Sequence, residues 1–234
     1  MKDNISTSIT LNRKIVIELR FAPSPKLLDL KGTIINSLQE LKVFTPLHWE
    51  IGDAIISIKD EPDNKNIRNH IIIELNRLAY ISSKIDSIES YYSRFQKIYT
   101  EISKILDLKI ISRIGCRIQG TYKVKSTKFD LILENFKKSF PTTIFLEDFP
   151  TTDLLFQLNY KNGMYRIGPI KENDEFLKRE FPFPERKDIA GIGMDTDNFL
   201  LDKSGTGIND SKIKDVVTAS LAVEKSLYEK MKDF

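Results

Sequence analysis

Residues 111–125 read ISRIGCRIQGTYKVK. Ile114, Cys116, Ile118, Tyr122 and Val124 fall on one side of an extended chain, and Arg113, Arg117, Gln119, Thr121, Lys123 and Lys125 on the other. This period-two alternation marks a strand with one buried and one open face. An earlier stretch, residues 14–21 (KIVIELRF), alternates likewise, with Ile15, Ile17, Leu19 and Phe21 against Lys14, Val16, Glu18 and Arg20. The second half of the chain therefore opens as the first half does.

Outward from these two strands the pattern switches between periods of 2 and 3.6. After Pro23, Ser24 is placed to cap a helix with Pro25 at its first position. Leu27, Leu30, Ile34, Leu38 and Leu41 then follow at helical spacing, and Pro46 stops them. Trp49 to Ile58 reads as a second strand, residues 60–69 as a polar loop, and Ile71–Leu75 with Leu78–Ile81 as a third strand and its partner or continuation. Ile88 to Leu106 carries a broad apolar stripe with Tyr91, Tyr92, Phe95 and Tyr99.

In the second half, Phe129 to Phe136 reads as a helix ended by Pro141. Leu154–Tyr160 alternates, Asn162-Gly163 signals a hairpin, and Met164–Ile167 return. Residues 171–188 read as a surface loop, Ile189–Leu201 as a strand, and Ile213–Met231 as a last helix capped at Asn209 or Asp210. The expected fold is α+β: a mostly antiparallel sheet with helices packed on one face. It would comprise two similar strand-helix-strands-helix halves, 1–108 and 109–234, joined in one unit.

The 234 residues are 41% apolar and 10% aromatic, enough for a real core, and carry a net charge of +3. That balance excludes a polybasic or disordered protein. No apolar run is long enough for a membrane span, and residues 1–10 lack a signal-peptide core, so a soluble cytoplasmic protein is expected. A single cysteine, Cys116, excludes an internal disulfide and multi-cysteine metal clusters. With only His48 and His70, imidazole chemistry has little to draw on. P-loop, GxGxxG, Gly-x-Ser-x-Gly and HExxH patterns are all missing. No catalytic residue and no cofactor is assigned.

Three features can carry function. Residues 109–128 hold six bases and no acid. Arg113, Arg117, Lys123 and Lys125 share a face, and side chains two apart on a strand stand about 7 Å apart, close to the spacing of successive phosphates. They are candidates for binding nucleic acid or another anion; a solvated face uses the same pattern. Residues 141–202 hold twelve acids, Glu147 and Asp148 among them, against seven bases. There Asp195 and Asp197 form an Asp-x-Asp pair able to hold Mg²⁺, with Asp202 nearby, or else to pair across strands with Arg113 and Arg117. Tyr91 and Tyr92 are candidates for an interface, on spacing that equally serves a core.

The block from Ile71 to Gly120, with Phe21-Ala22-Pro23 before it and Asp195-Thr196-Asp197 after it, resembles a sporadically distributed bacterial family of uncharacterised proteins of about 250 residues. In that family a strand with a Gly-x-Arg-Tyr-x-Asn core follows a long aromatic-rich helix. Gly115 and Arg117 match this core, while Ile118 and Gly120 stand in place of its Tyr and Asn. The resemblance implies a bacterial protein in a mobile-element or defence context, and no particular activity.

The expectation is a non-catalytic binding protein that recognises another protein or its own copy, with no membrane role. Nucleic-acid binding through the basic strand is the alternative, and a metal-dependent phosphoesterase built on Asp195 and Asp197 the second alternative.

Overall fold

A computed structural model describes residues 8–63, 66–139 and 153–234. Pro141, Glu147 and Asp148, and residues 1–7 of the leader reading, lie outside the described residues. Among the described residues nine strands form one sheet, every neighbouring pair antiparallel. In chain order the elements are β1 (Thr10–Phe21), α1 (Lys26–Glu40), β2 (His48–Ile51), β3 (Ile55–Lys59), β4 (Asn69–Glu74), β5 (Arg77–Ser82) and α2 (Ile88–Leu106). There follow β6 (Ile111–Tyr122), α3 (Phe129–Ser139), β7 (Phe156–Tyr160), β8 (Gly163–Ile170), α4 (Glu175–Glu180), β9 (Gly191–Leu201) and α5 (Lys212–Met231).

The strand order is β2-β3-β4-β5-β1-β6-β9-β8-β7. Both halves wind the same way. The first strand, β1 or β6, lies innermost; a helix carries the chain to the outer edge; a meander steps back until its last strand, β5 or β9, pairs with the first. The seam is the antiparallel pair β1–β6, in register from Asn12 opposite Thr121 to Arg20 opposite Arg113. The first half supplies five strands and the second four.

Alternation on β1 and β6 fixes which face is buried. Ile15, Ile17, Leu19, Ile114, Cys116 and Ile118 are closed off beneath the helices. They join one cluster with Leu27, Ile34 and Leu38 of α1, Phe95, Ile98 and Ile102 of α2, and Val217 and Leu221 of α5. That core runs across the seam, so the two halves share an interior. A second cluster, with Tyr122, Ile132, Phe136, Ile192 and Met194, sits under α3. Truncating a side chain such as Phe95 to Ala removes about 3–5 kcal/mol from a core of this kind.

Local details refine several expectations. The Trp49–Ile58 stretch is a hairpin, β2 and β3, turned at Gly52, whose N–H donates to the Ile55 carbonyl at 2.9 Å. Leu75 and Asn76 turn β4 into β5, so the latter is a separate strand. Ser24 does not cap α1; Pro25 holds the N-cap position, and the Ser24 hydroxyl donates to the Leu106 carbonyl at 3.2 Å. α1 ends at Glu40, before Pro46. Ser211 occupies the N-cap of α5, while the Asn209 side chain accepts the Ser211 N–H at 2.9 Å.

The largest refinement concerns residues 171–188. They contain α4, started by Asp174, whose carboxylate accepts the Phe176 N–H at 2.9 Å. Among the described residues four helices cover one face of the sheet, and this six-residue helix lies on the other. Its Leu177 and the following Phe181 are fully buried. Lys14, on the open side of β1, bonds the Glu180 carboxylate at 2.7 Å and sits over the Phe181 ring. The chain beyond is strapped down by Asn12, which accepts the Lys187 N–H at 3.0 Å and donates to the Lys187 carbonyl at 2.8 Å.

Candidate functional site on the open sheet face

The strap leaves the middle of the open face uncovered among the described residues. Strands β5, β1, β6 and β9 meet there, and register decides who faces whom. Arg117 stands opposite Asp197, and Gln119 opposite Asp195. Glu18 stands opposite Gly115, between Arg113 and Arg117 on the same strand.

Gly115 leaves space over the strand, and the Arg113 guanidinium lies across it; a Cβ added at Gly115 would stand 2.7 Å from Arg113 Nη1. From that position Arg113 donates to Glu18 at 2.7 Å and to Asp197 at 3.2 Å. It also stacks on Phe199, 5.1 Å from the ring centroid. Arg117 reaches diagonally to Asp195 and makes a two-pronged bond, Nε to Oδ1 at 2.7 Å and Nη2 to Oδ2 at 2.6 Å. Planar guanidinium matched to planar carboxylate is the strong form of this interaction. The Asp195 bond raises the pKa of Arg117. Asp197 differs: burial pushes its carboxyl up, against the pull of Arg113 and Arg117. At Glu180 burial also pushes up, but the bonds from Lys14 and Arg179 outweigh it and the pKa is lowered.

Two hollows flank these pairs. One, of about 400 Å³, lies over β5, β1 and β6, with Val16, Ala79 and Gly115 as a low floor and Arg20, Arg77 and Arg113 around it. The other, of about 250 Å³, lies between α4 and the sheet, where Phe176 and Arg179 face Arg117 and Asp195.

Of the four bases expected to share a face, the structure brings together two. Arg113 and Arg117 are engaged by carboxylates. β6 ends at Tyr122, so Lys123 and Lys125 follow a different path: their N–H groups bond the carbonyls of Ile9 and Lys232, 2.8 and 2.9 Å away. The row of phosphate-spaced cations is thus not formed. Asp195 and Asp197 do lie on one face, but each is held by an arginine. Asp202 is turned away; its carboxylate collects the N–H groups of Ser204, Gly205 and Gly207. Among the described residues no group of three or more His, Cys, Asp or Glu side chains gathers as metal ligands.

Tyr91 is a core residue rather than an interface residue. It is 3% exposed, donates to the Ile15 and Tyr80 carbonyls and stacks on Tyr80 with centroids 4.9 Å apart. Tyr92, one position further round α2, reaches the surface only in part. Cys116 is buried, and burial pushes its thiol up to about 12, outside nucleophile range. Sequence reading put Lys14 and Glu18 on the polar side of β1 but did not single them out, or Glu180, as site residues. The alternation of β1 already puts Lys14 and Glu18 beside Val16; their partners depend on long-range register.

Neither the protein-family models nor the curated proteins compared with this chain give a match. No helix among the described residues is long and apolar enough to cross a membrane.

Proposed function

We propose that this is a non-catalytic cytoplasmic binding protein that recognises another protein through the open face of its sheet. The observation that carries the reading is the set of ion pairs Glu18–Arg113–Asp197 and Arg117–Asp195 laid across β1, β6 and β9. Such pairing holds arginines in fixed poses before a partner arrives, which lowers the ordering cost of binding. It also spreads donors and acceptors of both signs over a surface flanked by hollows, which suits a polypeptide partner. A nucleic-acid backbone needs uncompensated cations that release counterions. A phosphoesterase needs carboxylates free to hold Mg²⁺.

The test uses Arg20, 55% exposed, and Arg77, 30% exposed, at the rim of the face, with circular dichroism showing that both proteins are folded. The wild-type chain and the Arg20→Glu/Arg77→Glu variant are cross-linked in a lysate of the source cells and the adducts identified by mass spectrometry. The same protein partner on the wild type, reduced at least tenfold on the variant, supports the reading. A co-purifying oligonucleotide, or equal capture by both, overturns it.

A further inference from the structure

Strand β2 is the last in the sheet order, and nothing among the described residues pairs with its outer side. The Gly52 N–H to Ile55 carbonyl bond sets the hydrogen-bonding phase of the β2–β3 hairpin. Antiparallel pairs alternate between bonded and non-bonded. Glu50–Ser57 and His48–Lys59 are then bonded inward, and the N–H and C=O groups of Trp49 and Ile51 point out from the edge. Those two residues are also apolar and half exposed, Trp49 at 49% and Ile51 at 51%. Lysine, proline and bulges, the usual guards of an edge, do not occur within β2.

We propose that this edge is where a second copy of the chain docks, β2 against β2 and antiparallel, continuing the sheet across a twofold axis. Only registers that set outward-pointing groups against each other can form, and charge chooses among them. A twofold axis at Glu50 would place the two Glu50 carboxylates directly opposite, which is unfavourable. An axis at Trp49 places His48 opposite Glu50 of the other copy, Trp49 opposite its own counterpart, and Leu47 opposite Ile51. On one face of the seam each carboxylate meets an imidazole; on the other all the side chains are apolar. Lys59 already holds Glu50 at 2.8 Å, while 69% of the Glu50 side chain stays exposed and available. An aromatic pair at the centre with a polar rim is the arrangement that concentrates binding energy. The seam is short, so a Kd on the order of 10 µM is expected. This surface lies apart from the open-face site, and neither reading depends on the other.

Trp49 is the only tryptophan, which makes it a built-in reporter. Sedimentation equilibrium and tryptophan emission are measured on the purified chain from about 1 to about 200 µM. The expected result is a monomer–dimer equilibrium with a blue shift that tracks dimer formation. Ile51→Lys should weaken the dimer at least tenfold, with the melting temperature of the dilute monomer unchanged, since the side chain is half exposed. Glu50→Lys should weaken it as well, and the double exchange His48→Glu/Glu50→Lys should restore it. A monomer over the whole range overturns the proposal. So does a dimer that Ile51→Lys leaves intact, which would be built on another surface. Failure of the double exchange to restore affinity overturns the register.

Discussion

Strands β1 and β6 carry arginine–carboxylate pairs on both faces, and the two faces treat them differently. On the helix side, Arg13 meets Glu224 of α5 at 2.5 Å with side chains 8% and 1% exposed. The Tyr122 hydroxyl donates to the same carboxylate. On the open side, Arg117 meets Asp195 at 2.6 Å; the carboxylate is 9% exposed, but the arginine is 41% exposed. The chemistry is equal and the dielectric surroundings are not. A buried pair loses far more when one member is removed, because the survivor is a stranded charge. A pair open to water on its arginine side is partly screened and gives less to stability, so its geometry is free to serve recognition.

The sharpest way to break this contrast is on the helix side. Glu224→Ala removes the buried carboxylate that accepts from both Arg13 and Tyr122, and is expected to cost about 3–5 kcal/mol in urea unfolding.

The next effect tests whether any part of the open face behaves as interior. His70, on β4, accepts or donates a 2.8 Å bond with Ser57, and burial followed by the nearby Lys59 brings its pKa down to about 4. Between pH 6.5 and about 4 the unfolded chain therefore binds a proton that the folded chain does not. Stability should fall as pH drops through that window, by up to about 1.4 kcal/mol per unit, and His70→Gln should remove this component.

Arg113→Ala breaks two partly buried bonds at once and is expected to cost about 1–2 kcal/mol. Arg117→Ala takes the two-pronged bond from the buried Asp195 but opens that carboxylate to water, and should cost about 1 kcal/mol while reducing partner capture. Equal losses at Glu224 and Arg117 would erase the distinction between the faces.

The sequence discloses some of this and hides the rest for physical reasons. Alternation in β1 and β6 is a local signal, and it places Arg113, Arg117, Lys14 and Glu18 on the open face unaided. The stripe of α2 and the Asn162-Gly163 turn are equally local. Pairing is not: that Arg117 turns to Asp195, and Arg113 to Glu18, depends on the register of strands far apart in the chain. The β2–β3 turn is masked by the isoleucines on either side of it, although Gly52-Asp53 marks it. α4 is too short to show a period. Its traces are the Asp174 cap and the Leu177–Phe181 pair one turn apart, overshadowed by the prolines at 182 and 184. Lys123 and Lys125 continue the alternation in sequence after the strand itself has ended, which is why the four-base row failed to form.

A pair of double-mutant cycles tests the contrast most directly, with Arg13 and Glu224 in one and Arg117 and Asp195 in the other, each read by equilibrium urea unfolding. The expected coupling is about 3 kcal/mol or more on the helix side and about 1 kcal/mol or less on the open side. Equal couplings, or a larger one for Arg117 and Asp195, would make the open-face pairs structural and contradict their assignment to recognition.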